Sequence, residues 1–151
     1  MGEVDMEVHE SVEIGAAPGK IWPLLIEPEN ILKWCITFRR FEYRGEQHAG
    51  PGTRFYVEEK AVGPLMKLNF EATEWKENEV LAFRMTSGTG VKSYEQRWAL
   101  QPTPSGSRFS FAEEVGMPFG VGGHVLGAVA KGSSQRHVKE MLGKLKSMAE
   151  G

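Results

Sequence analysis

Apolar and polar residues alternate through most of this chain, and the period changes near its end. Residues 4–14 place Val4, Met6, Val8, Val12 and Ile14 on one face, with His9, Ser11 and Glu13 on the other. A period of two predicts a half-buried strand. Glu10 interrupts the pattern, because parity sets it on the apolar face. Ala17-Pro18 then predicts a helix through Ile21-Trp22-Pro23-Leu24-Leu25, with proline at its favoured first-turn position. Pro28 restarts the chain into a second short helix over about 29–34. Six further strands are predicted, over 38–44, 53–61, 65–75, 80–86, 91–101 and 107–117. Turns rich in glycine, proline and asparagine separate them. From residue 117 the period becomes 3.6, and Val138, Met141, Leu142, Leu145 and Met148 form one helical stripe. The first half of that helix, residues 120–132, is small and glycine-rich. Each glycine there gives up roughly 0.5–1 kcal/mol of helix propensity relative to alanine.

Consecutive strands with short turns imply an antiparallel meander, and helices at the ends make the class α+β. Seven strands, each apolar on one face, predict a strongly curved sheet wrapped around the long C-terminal helix. Two short helices after strand 1 would plug one end. The small half of the long helix would leave a ligand-sized cavity between helix and sheet.

Composition narrows the classes. The 151 residues, 40% hydrophobic and 25% charged, suit one globular domain over 1–151. A net charge of −2 gives no basic footprint for nucleic acid. No apolar run approaches the roughly 20 residues of a membrane span, so no stable membrane insertion is expected. The acidic start, Met-Gly-Glu-Val-Asp-Met-Glu, does not read as a signal peptide, and a cytoplasmic location is the expectation. The single cysteine, Cys35, excludes an internal disulfide and a cysteine-cluster metal site. No metal and no cofactor are expected.

The order β-αα-β6-α resembles the helix-grip fold of the START-like superfamily, also called SRPBCC. Within it, the chain is similar to the polyketide cyclase/dehydrase and lipid-transport group. The matching stretches are Ile14-Gly-Ala-Ala-Pro18 with Ile21-Trp22 and Trp34, then Gly50-Pro-Gly-Thr-Arg-Phe55. Tyr94-Glu-Gln-Arg-Trp-Ala-Leu100 and Leu142-Gly-Lys-Leu-Lys-Ser-Met-Ala-Glu150 match as well. The resemblance spans nearly the whole chain and rests on structural motifs. It implies a hydrophobic-ligand cavity and carries over no universal catalytic set.

Parity puts three carboxylates, Glu10, Glu59 and Glu113, on the apolar faces of their strands. A carboxyl in an apolar cavity has a raised pKa and can act as general acid or base. The alternative is that each sits at a strand end or pairs with an arginine such as Arg54, Arg84 or Arg97. Tyr94, Gln96 and Trp98 share a face, where the phenol and amide could orient a ligand. Of the four histidines, His9 and His48 read as outward or turn residues, His137 as a solvated helix residue, and His124 as the one facing the cavity. Cys35 reads as inert packing. The basic outer side of the long helix, Lys131, Arg136, Lys139, Lys144 and Lys146, reads as solvated. The expected lining is Phe55, Val57, Glu59, Leu68, Phe70, Phe83, Tyr94, Gln96, Trp98, Phe111, Glu113, His124 and Ala128.

The expectation is a monomer or homodimer that binds a hydrophobic or amphipathic small molecule of lipid, isoprenoid or aromatic polyketide type. The alternative is a cyclase/aromatase-type enzyme in which Glu113, Glu10 or Tyr94 moves protons. A third reading is an interaction protein that dimerises through its sheet edge.

Overall fold

A computed structural model of the protein describes residues 4–61, 63–118 and 121–151. The chain runs β1 (Met6–Ile14), α1 (Pro18–Ile26), α2 (Pro28–Trp34), β2 (Phe38–Arg44), β3 (Arg54–Glu59), β4 (Met66–Lys76), β5 (Val80–Gly88), β6 (Ser93–Thr103), β7 (Gly106–Gly116) and α3 (Val121–Glu150). The seven strands form one sheet in the order β1-β7-β6-β5-β4-β3-β2, and every neighbouring pair is antiparallel. This is the α+β architecture expected from the alternation pattern, in the helix-grip order that the resemblance implies. The boundaries differ slightly: the long helix is described from Val121 rather than from 117, and Gly120 lies outside the described residues.

Prolines open both short helices, where a missing N–H costs nothing. The Trp34 indole N–H donates to the Leu24 carbonyl at 2.8 Å and ties α2 to α1. Register shifts near Phe38, Asn69 and Ala72 bend β2 and β4. Such bulges increase local twist and help curl an open sheet.

The concave face carries an aromatic core. Phe55, Phe70, Phe83 and Trp98 are stacked edge or face, with neighbouring centroids 5.0–5.5 Å apart. Trp34 meets Trp98 at 5.0 Å. The second half of α3 seals one side with buried Val138, Met141, Leu142, Leu145 and Ala149, while Met148 is half-buried. Polar clamps fix that end: Lys146 Nζ donates to the Glu13 carbonyl at 2.9 Å, and Glu150 accepts from the Gly15 N–H at 2.7 Å.

The first half of α3 is held differently. Val125, Leu126 and Val129 are exposed, and Gly127 is pressed against the approach to β1. A Cβ at Gly127 would lie 2.4 Å from the Asp5 carbonyl oxygen. Only glycine lets the helix come that close.

Candidate functional site

A cavity of about 340 Å³ lies between the concave sheet face and α3. Its helix wall is Leu126, Ala130, Ser134, His137, Val138 and Met141, one stripe at spacings of three and four. Its sheet wall includes Met6, Met66, Phe111 and Val115, and residues 61, 63–64, 90–91 and 117–118 complete the rim. Thr37, Glu59, Tyr94, Gln96 and Glu113 supply polar groups on the sheet side.

Those polar groups are joined. The Tyr94 hydroxyl lies 2.7 Å from Glu59 Oε1 and 2.6 Å from Glu113 Oε1. Thr37 Oγ1 donates to Glu59 Oε2 at 2.7 Å. Gln96 Nε2 donates to the Tyr94 oxygen at 2.8 Å and approaches Glu113 Oε1 at 3.3 Å. Trp98 Nε1–H donates to Gln96 Oε1 at 2.8 Å. Because an indole N–H can only donate, it fixes the Gln96 amide with its NH₂ toward the tyrosine.

The register explains half of this gathering. Gln96 is paired directly with Glu113 across β6 and β7, and Tyr94 is two residues along the same face. Glu59 comes from farther away, since β3 and β6 are separated by β4 and β5. Three strand spacings are about 14 Å in a flat sheet, so the curl of the sheet brings this carboxylate to the phenol.

Burial controls the electrostatics. Desolvation, then the charge of Glu59, pushes the Glu113 carboxyl up to about 7, against donors from Tyr94 and Gln96 that pull it down. Glu59 is also raised, mainly by burial, and is restrained by Tyr94 and Thr37. The Tyr94 phenol is pushed well up by burial and by both carboxylates. Cys35 is fully buried, and its thiol is raised by desolvation and then by Glu59 and Glu113. No lysine or arginine lines the cavity among the described residues.

The expected lining residues fall into four groups. Glu59, Tyr94, Gln96, Phe111 and Glu113 border the cavity. Phe55, Val57, Leu68, Phe70, Phe83 and Trp98 are buried but do not border it. They were expected there because their faces point inward, and they instead fill the curl of the sheet with packed rings. Ala128 is a correction: it is exposed, because it stands about 200° around the helix from both Leu126 and Ala130. The side chain of His124 lies outside the described residues.

Glu10 is also corrected as a cavity acid. It is half-buried, lies 3.8 Å from Lys139 of α3 and does not border the cavity. His137, expected to be solvated, borders the cavity, and its Nδ1 is buried without a hydrogen-bond partner among the described residues. Thr37, Ser134 and His137 were missed. Extending the Val138–Met141–Leu145 stripe backwards would have found the two on α3; Thr37, in a loop, has no periodic signal.

The sequence matches the family model described as polyketide cyclase / dehydrase and lipid transport over residues 5–150. The chain belongs to that family. Among solved structures, the protein TTHA0849 from Thermus thermophilus is similar with a TM-score of 0.79 at 21% identity, covering 95% of this chain and 96% of its own. A START superfamily protein from Mycobacterium smegmatis gives 0.75 at 16% identity, covering 94% and 98%. The Zhui aromatase/cyclase from Streptomyces sp. R1128 gives 0.71 at 13% identity, covering 95% and 93%. At these identities the likeness shows a shared fold. A search of curated proteins finds no significant match. Among the described residues, no helix is long and apolar enough to cross a membrane, and no cluster of three or more acidic, histidine or cysteine side chains could hold a metal ion.

Proposed function

We propose that this protein binds a hydrophobic or amphipathic small molecule, of lipid, isoprenoid or aromatic polyketide type, between the sheet and α3. One observation carries the reading: a cavity of about 340 Å³ with apolar walls and a connected polar group on one side. Apolar enclosure supplies affinity and a few placed polar atoms supply orientation, as in small-molecule sites generally. Glu59, Tyr94, Gln96, Phe111 and Glu113 are the proposed contacts on the sheet, opposite Ala130, Ser134 and His137 on the helix. Such a carrier suits a cytoplasmic monomer or homodimer. Native mass spectrometry of freshly purified protein, with Nile red titration, tests the reading. A co-purified ligand or saturable dye binding supports it, and a protein that takes up neither refutes it.

A second reading is an enzyme of cyclase/aromatase type, the activity printed for the Streptomyces neighbour. It is favoured by a Glu113 carboxyl that titrates near 7 beside the Tyr94 hydroxyl, where proton transfer to and from a bound carbonyl compound is efficient. Glu113 and Tyr94 would move protons during aldol closure and dehydration, with no part for Glu10. Turnover of a linear polyketone that disappears in Tyr94→Phe, with binding retained, supports it; absence of turnover by the native protein refutes it.

A further inference from the structure

A phenol has one proton to give. Tyr94 nevertheless stands within 2.7 Å of one carboxyl oxygen and 2.6 Å of another. If both carboxyls are ionised, one of those two contacts has no hydrogen in it. If one carboxyl is protonated, the chain closes: Glu113 donates to Tyr94, Tyr94 donates to Glu59, and Thr37 donates to the far oxygen of Glu59. Gln96 does not fill that contact: one amide hydrogen goes to the Tyr94 oxygen and the other reaches Glu113 Oε1 at 3.3 Å, and neither lies between the phenol and carboxyl oxygens.

The neighbouring elements bring no cation to this chain. β3 brings Glu59, β6 brings Tyr94 and Gln96, β7 brings Glu113, and the segment after α2 brings Cys35 and Thr37. α3 brings Ser134 and His137 to the cavity. Among the described residues no basic side chain forms an ion pair with either carboxylate. With both carboxyls ionised, the sheet side of the cavity is therefore an acceptor site that is one donor short.

We propose that the cavity selects an amphipathic molecule whose polar end donates hydrogen bonds, an ammonium best and a hydroxyl next, and that it rejects carboxylates. The proposal rests on the ligand-binding reading of the same cavity and narrows its ligand class. An ammonium supplies the missing hydrogen and a compensating charge at once, and charge-assisted bonds are the stronger ones. A carboxylate would bring a third acidic group to a place that already lacks a proton. The His137 imidazole on the opposite wall gives the same molecule a second polar contact when it carries two polar groups.

Size selects the probes. At about 340 Å³ the cavity stands at the lower end of small-molecule sites, so compact substituted naphthalenes serve as the probes. The test compares 2-naphthylmethylamine, 2-naphthylmethanol and 2-naphthoate as competitors of Nile red at pH 6 and pH 8. At pH 8 the amine should bind roughly tenfold tighter than the alcohol, and the carboxylate weakest. The amine should tighten from pH 6 to pH 8 while the carboxylate weakens. In Glu113→Gln the preference for amine over alcohol should shrink toward parity. A carboxylate that binds as tightly as the amine at pH 8, or equal pH slopes for the two, overturns the donor proposal while leaving a binding cavity in place. Failure of Nile red to bind the native protein overturns the binding reading beneath it.

Discussion

Glu113→Gln should stabilise this protein at pH 8 and do little at pH 5. Glu113 is buried, and its carboxyl titrates at about 7 in the folded chain against 4.5 when free. A raised acid of this kind contributes its stability at low pH, fully present below 4.5, and loses it as the pH climbs through about 7. At about 1.4 kcal/mol per pH unit, the loss across that interval is about 3 kcal/mol. Glutamine keeps the shape and reproduces the protonated carboxyl: its NH₂ can donate to the Tyr94 oxygen, which leaves the phenol proton for Glu59. The variant therefore behaves as wild type with the proton permanently in place. Urea unfolding followed by tryptophan fluorescence at pH 5 and pH 8 measures this. Glu113→Gln should exceed wild type by about 3 kcal/mol at pH 8 and match it within about 1 kcal/mol at pH 5. A variant equal to or weaker than wild type at pH 8 would refute the reasoning, since it would mean that the native carboxylate is stabilised when ionised.

Tyr94→Phe should cost about 2–4 kcal/mol, because it removes the one hydroxyl that both buried carboxyls contact and the oxygen that accepts from Gln96. The loss should be larger at pH 8 than at pH 5, where Glu113 is protonated; equal losses in urea melts at the two pH values would contradict it. Gly127→Ala should destabilise by about 1–3 kcal/mol through its collision with the Asp5 carbonyl. Gly143→Ala, with nothing within 4 Å, should instead raise the melting temperature by roughly 1–4 °C. Calorimetry showing the same sign at both glycines would show that packing does not distinguish them. Glu10→Gln breaks a loose 3.8 Å pair with the exposed Lys139 and should change stability by less than about 1 kcal/mol and leave Nile red affinity unaltered; a severalfold fall in affinity would return Glu10 to the cavity.

The sheet and its faces were legible because a period of two states which side of a strand is buried, without any knowledge of partners. Parity put Glu59, Tyr94, Gln96, Phe111 and Glu113 inward, and they are inward. Parity cannot state depth. Glu10 and Glu113 carry the same signal, yet one ends beside a lysine at 3.8 Å and the other beside a phenol at 2.6 Å. The difference is made by strand neighbours: β1 is an edge strand under the charged flank of α3, whereas β7 is paired on both sides. Inward aromatics such as Phe70 and Phe83 read as lining for the same reason, and only the curl of the sheet decides that they touch each other. Thr37 belongs to no periodic segment, so its bond to Glu59 had no trace in the sequence.

The glycine-rich start of α3 shows where a correct pattern led to an incomplete cause. Small residues there suggested a thin helix that leaves room for a cavity. Among the described residues the cavity wall from that half is Leu126 and Ala130, so the small residue that borders it is an alanine and not a glycine. Gly127 has another task, since its missing side chain lets the helix reach the backbone at Asp5. That approach lies beside a second tie, in which the Met117 N–H donates to the Asp5 carboxylate at 2.6 Å. Met6 and Met117 both border the cavity. The glycine thus acts on the site indirectly, by bringing the helix, the start of β1 and the end of β7 together around one rim. A side chain at 127 would push α3 away from β1, and with it the wall that carries Ala130, Ser134 and His137 toward the Glu59–Tyr94–Glu113 chain.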